Sequence, residues 1–155
     1  MADAAPAQAV VFVGIQAVGK STFFRERFAL SHVRINLDSL RTRHREAVLL
    51  EVCARAGIPF CVDNTNPSAG ERVPYLAAAR AAGFRVAGYY FASRVAPALE
   101  RNAARPAAER VPEVGIKGTA GRLERPRLDE GFDELFYVRI DSGGGFLVEA
   151  WNDEV

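Results

Sequence analysis

The sequence predicts an α/β fold with about five parallel strands flanked by helices on both faces. Three observations predict it. Short apolar runs alternate with helical stretches, the pattern of consecutive βαβ units. The first run, Val10-Val11-Phe12-Val13, passes into a glycine-bounded loop and then a helix-forming stretch. Acidic residues follow the second and third runs (Asp38 and Asp63), at strand carboxyl ends where open α/β sheets bind ligands.

Taken in order, residues 1–7 read as a loose leader and residues 8–13 as the first strand. A helix begins by Thr22 and carries Phe23, Phe24 and Phe28. Residues 33–37 form a second short strand. From Asp38 to about Ala56, Leu40, Val48, Leu49, Val52 and Cys53 recur at helical spacing; Gly57 stops the helix and Pro59 forbids its continuation. Residues 58–62 read as a buried strand ending at Asp63, and Asn64-Thr65-Asn66-Pro67 as a turn. A helix runs from Ser68 or Ala69 to near Gly83. Residues 84–91, rich in aromatic and β-branched side chains, form a strand. Residues 95–104 are helical up to Pro106, and residues 107–127 are interrupted by prolines and glycines. Residues 135–140 form the last core strand. A flexible Ser142-Gly143-Gly144-Gly145 turn leads to a possible edge strand over 146–151.

The bulk properties suit one globular domain over residues 1–155. The chain is 49% hydrophobic and 25% charged, with a net charge of +1, so it carries no global nucleic-acid footprint. Charge is uneven. Residues 94–127 hold seven Arg and one Lys against four Glu, whereas residues 128–155 hold eight acids against Arg139. The basic stretch can meet phosphates or can be a solvated helix face balanced by the acidic tail over 142–155. No apolar run is long enough to span a bilayer. The start, Met1-Ala2-Asp3-Ala4-Ala5-Pro6, carries an acid where a secretory signal carries bases, which predicts a cytoplasmic chain. Cys53 and Cys61 sit among apolar neighbours and read as buried free thiols. His32 and His44 lack partners at ligand spacing and read as surface residues. Trp151 reads as packed on the domain.

The chemistry begins at Gly14-Ile15-Gln16-Ala17-Val18-Gly19-Lys20-Ser21-Thr22, which matches G-x-x-x-x-G-K-[ST]. Glycines let such a loop curl so that successive N–H groups point at phosphate oxygens, and the following helix N-terminus favours an anion. The pattern predicts a P-loop NTPase or kinase fold that binds ATP, with Lys20 on the β- and γ-phosphates and Ser21 on Mg²⁺. Asp38 is a candidate general base for an attacking hydroxyl, or simply a helix N-cap. Arg41, three residues on, shares its helix face and can hold an anionic group of the acceptor. Asp63 can reach the Mg²⁺ shell or orient the acceptor, with Asn64 as a polar contact; both can also be turn formers. Arg101 and Arg105 lie four apart on one helix, either brought onto the transferring phosphoryl group or exposed as a basic face.

Four segments in order, Gly14 to Thr22, Asn36-Leu37-Asp38-Ser39-Leu40-Arg41, Val62-Asp63-Asn64-Thr65-Asn66 and Glu100-Arg101-Asn102-Ala103-Ala104-Arg105, resemble the kinase domain of polynucleotide 5′-hydroxyl kinases. The stretch Pro126 to Phe132 resembles that family too. The resemblance implies that Asp38 is the base for the acceptor hydroxyl and Arg41 contacts the adjacent phosphate. It also implies that Lys20 and Ser21 serve ATP and Mg²⁺, Arg101 and Arg105 are lid arginines, and Asp63 sits beside the acceptor. The chain departs from the pattern in having Leu37 where the family has arginine, and a shorter stretch between Asp38 and Asp63. The same site can serve a sugar, a nucleoside or an antibiotic hydroxyl. A reading of another class is a nucleotide-dependent binding module.

Overall fold

The computed structural model describes residues 5–152. Six strands form one sheet in the order β2-β3-β1-β4-β5-β6. These are β1 (Gln8–Val13), β2 (Val33–Ile35), β3 (Phe60–Val62), β4 (Arg85–Phe91), β5 (Glu134–Ile140) and β6 (Phe146–Ala150). The first five are parallel; β6 runs antiparallel along the edge of β5, with Val138 opposite Val148. This is the α/β P-loop NTPase fold that the sequence predicts.

Residues along β1 alternate between two cores, because successive side chains of a strand point to opposite faces. Ala9 and Val11 join Ile35, Leu50, Phe60, Tyr75 and Leu76 beneath helices α3 (Arg43–Ala56) and α4 (Ala69–Ala81). Val10 and Phe12 join Phe23, Phe24, Phe28, Phe91, Ile116 and Val138 beneath α1 (Lys20–Arg27), α5 (Val95–Ala104) and α6 (Glu113–Arg122). Burial on both faces explains the unbroken apolar run at β1. Gly88 in β4 is required by packing, since a Cβ there would lie 2.5 Å from a Leu135 methyl carbon.

Strand β1 has β3 on one side and β4 on the other, so its carboxyl end is the point where strand order reverses. The loop from Gly14 to Gly19 starts there.

Several boundaries differ from the sequence reading. The helix expected from Asp38 to Ala56 is two helices, α2 (Leu37–Leu40) and α3. Arg41 ends α2 with φ 78°, and Thr42 starts α3 by accepting a hydrogen bond from Arg45 N–H through its side chain. A capping threonine competes with helix continuation, and no periodicity argument sees that. The broken stretch 107–127 contains a 3-10 turn at Ala107–Glu109 and the helix α6, whose Gly115, Gly118 and Gly121 mask it in the sequence. The leader expected over 1–7 falls partly on residues 1–4, and the acidic tail expected over 142–155 partly on 153–155, outside the described residues. Ala7 is not loose, because its carbonyl accepts from Arg85 N–H. The glycine turn is held by Asp141 Oδ1, which accepts from Gly143 and Gly145 N–H at 2.8 and 3.0 Å.

Both cysteines are free and buried. Trp151 packs edge-on to Tyr90. His32 is half-buried, tied to Gln8 and Ser31. No helix of the described residues is long and apolar enough to cross a membrane.

Candidate functional site

The loop after β1 is pinned from two neighbouring strands. Gly14 N–H donates to Thr65 carbonyl at 3.0 Å, and Ile15 N–H to Ser93 Oγ at 3.1 Å. Ala17 and Gly19 both have positive φ, 62° and 93°. Gly19 is the N-cap of α1 and makes no side-chain cap, which leaves first-turn N–H groups directed at the cleft above. A Cβ at Gly19 would also stand 2.9 Å from the Phe146 ring, so both backbone angle and space demand glycine. Lys20 is buried and donates to the carbonyls of Gly14 and Ile15 at 2.9 and 2.5 Å. Burial lowers its ammonium pKa to about 8, helped by Arg105 and opposed by Asp63 and Asp38.

A cleft of about 350 Å³ opens over this loop. Gln16, Ala17, Gly19, Lys20, Ser21 and Thr22 form its floor, and Asp38, Asp63, Asn64 and Arg105 stand on its walls. The fold therefore brings together ten of the residues singled out in the sequence. Gly14 and Ile15 lie beneath the floor, and Val18 faces a second cleft of about 280 Å³ with Arg94, Pro97, Arg101, Tyr137 and Arg139.

Asp38 is not the cap of its helix. Asn36 fills that place, accepting from Ser39 N–H at 3.0 Å, while its Nδ2 donates to the Asp63 carbonyl at 2.6 Å. Asp38 is therefore an exposed carboxylate on the cleft rim with no capping duty. Asn64 Oδ1 accepts from Leu37 N–H at 2.8 Å and so fixes the start of α2 from the β3 side. Its Nδ2 donates to Glu46 and Tyr75, so its amide is spent on structure. Glu46 is buried, takes Tyr75 OH at 2.8 Å and Arg43 Nη1 at 3.0 Å, and with burial pushes the Tyr75 phenol up to about 12.

Two arginine expectations change. Arg41 does not share a helix face with Asp38: the helix ends there, and Arg43 instead lines the cleft. Arg101 and Arg105 do not share a helix face either, because Arg105 is the C-cap of α5. Arg105 faces the cleft with Asp38, whereas Arg101 donates to the Ala17 carbonyl at 3.4 Å and lines the second cleft. Asn102 clamps the intervening loop by bonding Val111 N–H and C=O at 3.0 and 2.7 Å.

The expected Mg²⁺ ligands, Ser21 and Asp63, do meet, at 3.2 Å between Oγ and Oδ2. A third side chain is already bonded to both. Arg34, from β2, donates through Nε to Asp63 Oδ2 at 2.9 Å and through Nη2 to Ser21 Oγ at 2.9 Å. Two oxygens that carry a guanidinium do not fit direct Mg²⁺ ligation as they stand. Arg34 escaped the sequence reading because strand β2 looks like a short core strand. Among the described residues no group of three or more His, Cys, Asp or Glu could hold a metal ion.

The fold is shared widely. A gluconokinase from Sinorhizobium meliloti 1021 is similar over 90% of this chain and 86% of its own, with 17% identity and a TM-score of 0.63. Chaetomium thermophilum Kti12, solved with ADP-AlF3, is similar over 88% and 92%, with 17% identity and a TM-score of 0.64. A chain of the Pnkp1/Rnl/Hen1 RNA repair complex is similar over 78% of this chain and 45% of its own, with 19% identity and a TM-score of 0.62. The family described as AAA domain matches residues 42–126, more than half of the sequence, and the chain belongs to that family.

Proposed function

We propose that this protein is an ATP-dependent kinase, carried by one domain, that moves a terminal phosphoryl group to a hydroxyl acceptor. The 5′-hydroxyl of a polynucleotide is the first-choice acceptor. The observation that carries the reading is the meeting of a phosphate-loop lysine, an exposed carboxylate, Asp38, and Arg105 around one cleft. In this reading the loop N–H groups and Lys20 take the phosphates, and Lys20 leaves the Gly14 and Ile15 carbonyls to do so. Asp38 accepts the acceptor proton as the new O–P bond forms and the bond to the ADP oxygen breaks. Arg105 offsets charge on the transferring group. The second cleft, beside Val18, takes the nucleoside, with Arg101 at its edge.

The polynucleotide acceptor is supported by the exposed arginines at 41, 43 and 45, close in sequence to Asp38, with Arg43 lining the cleft. A second reading, a small-molecule kinase, is supported by the modest cleft and by the likeness to a gluconokinase.

The test is transfer of labelled terminal phosphate from ATP, with Mg²⁺, to a 5′-hydroxyl oligonucleotide and to a panel of sugars and nucleosides. Asp38→Asn is run in parallel. Label on the oligonucleotide that vanishes in the variant supports the first reading, and label only on a small hydroxyl supports the second. Nucleotide binding without transfer to any acceptor refutes the kinase and leaves an ATP-dependent binding module.

A further inference from the structure

We propose that Arg34 is a built-in counter-ion standing where a phosphate-loop cation would bind, so that Mg²⁺ and Arg34 compete for Ser21 Oγ and Asp63 Oδ2. The proposal rests on the nucleotide-binding reading for what the cation accompanies. Its geometry is that of the protein alone.

Asp63 Oδ2 accepts from Arg34 Nε at 2.9 Å and from Ser21 Oγ at 3.2 Å, and Arg34 Nη2 stands 2.7 Å from it as an ion pair. Ser21 Oγ, which donates one of these bonds, accepts another from Arg34 Nη2 at 2.9 Å. These two oxygens, Asp63 Oδ2 and Ser21 Oγ, are thus engaged by the guanidinium. Mg²⁺ requires near-octahedral oxygen ligands at about 2.0–2.1 Å, with no room for a guanidinium on the same oxygens.

The position of Arg34 is built into the fold. It pairs with Cys61 across β2 and β3, two residues before Asp63, so its side chain reaches along the strand ends toward α1. Its guanidinium carbon lies 5.8 Å from the centre of the Phe24 ring, a second seat that favours a cation.

Direct ligation of Asp63 Oδ2 and Ser21 Oγ by a metal requires exchange with Arg34. Arginine keeps its proton at any working pH, so it cannot be neutralised in place. The side chain of Asp63 is 2% exposed, and Lys20 is the other cation near it, so removing Arg34 leaves its charge less compensated. The Arg34 side chain is 33% exposed and so has an exit to solvent. A metal that binds these oxygens therefore displaces Arg34, and the resting protein holds its own site together without one. Arg34 sets how much Mg²⁺ the site needs.

The experiment is thermal unfolding of the full chain, without nucleotide, titrated with Mg²⁺ after EDTA treatment. The expected result is that the wild-type midpoint scarcely responds, whereas Arg34→Met is destabilised in EDTA and regains stability on Mg²⁺. The variant's midpoint should climb with Mg²⁺ concentration over a range where the wild type's stays flat, since binding to the folded state raises stability with ligand concentration. Arg34→Met/Asp63→Asn should be indifferent to Mg²⁺, because the Asp63 carboxylate is gone. Should Arg34→Met fail to fold, Arg34→Gln, which keeps a donor and removes the charge, is measured in the same way. A variant that responds to Mg²⁺ no more than the wild type overturns the proposal. Calorimetry with ADP separates the two readings. Tighter Mg²⁺-dependent ADP binding in the variant, with unchanged binding in EDTA, supports the exchange. Absence of ADP binding to either protein removes the nucleotide reading, while the metal titration still decides Arg34.

Discussion

Lys20 gives the site a pH signature of two opposite signs. Its ammonium is buried, chiefly at the cost of desolvation, and its pKa falls from 10.5 to about 8 in the folded, nucleotide-free protein. Below pH 8 folded and unfolded chains both hold the proton, and the folded state bears the full cost of burying it. Between pH 8 and 10.5 the folded state has released it while the unfolded state still binds it. The unfolded state then binds more protons, so stability rises with pH through that window and levels above it. The gap corresponds to a gain of about 3 kcal/mol. Bound phosphates reverse the preference by pairing with the ammonium. Nucleotide binding therefore takes up a proton above pH 8, and affinity falls by up to about tenfold per pH unit there. Urea denaturation of the wild type and Lys20→Met from pH 7 to 10.5 isolates the first effect, because the other titrating groups are common to both. Calorimetry with ADP in two buffers of different ionisation enthalpy reads the second. Parallel stability profiles for the two proteins would refute the reasoning, as would ADP binding at pH 9 with no proton uptake.

Other perturbations read other parts of the structure. Arg72 is fully buried, binds both oxygens of Glu130, and donates to the carbonyls of Asn66, Pro67 and Glu124. Arg72→Met should cost about 3–5 kcal/mol in urea denaturation, and Arg72→Met/Glu130→Leu should recover most of it. Arg41 holds φ 78°. Arg41→Gly should therefore stabilise the protein by about 1 kcal/mol while weakening an anionic acceptor, read as a raised KM at unchanged kcat. Thr42→Ala should lose about 1 kcal/mol through the missing cap on α3. If the acceptor is a polynucleotide, its apparent affinity should fall as salt rises, with a log–log slope of about −0.7 per engaged phosphate of a single strand. A small neutral acceptor should show no such slope.

The parts of this molecule legible in the sequence are those governed by local pattern. The apolar run at Val10 to Val13 reads as a doubly buried strand because both of its faces are covered, and the glycine spacing after it reads as a phosphate loop because only that backbone path suits the motif. What stays hidden depends on partners distant in sequence. Arg34 is 29 residues from Asp63 and 13 from Ser21, yet it bonds to both. Asn64 looks like a turn former, but it fixes the first turn of α2 by taking Leu37 N–H. The separation of Asp38 from Arg41 fails for a subtler reason. Three-residue spacing puts side chains on one face only while the helix continues, and Thr42 offers the backbone a competing cap that ends it. The consequence bears on function. Because Asn36 supplies the cap and Asn64 holds the first N–H, the Asp38 carboxylate has no capping duty and stands exposed at the cleft, near the Lys20 ammonium it supports. A carboxylate placed by its neighbours' bonds, rather than by a cap of its own, keeps its oxygens turned to the cleft, and the proposal of Asp38 as base rests on that placement.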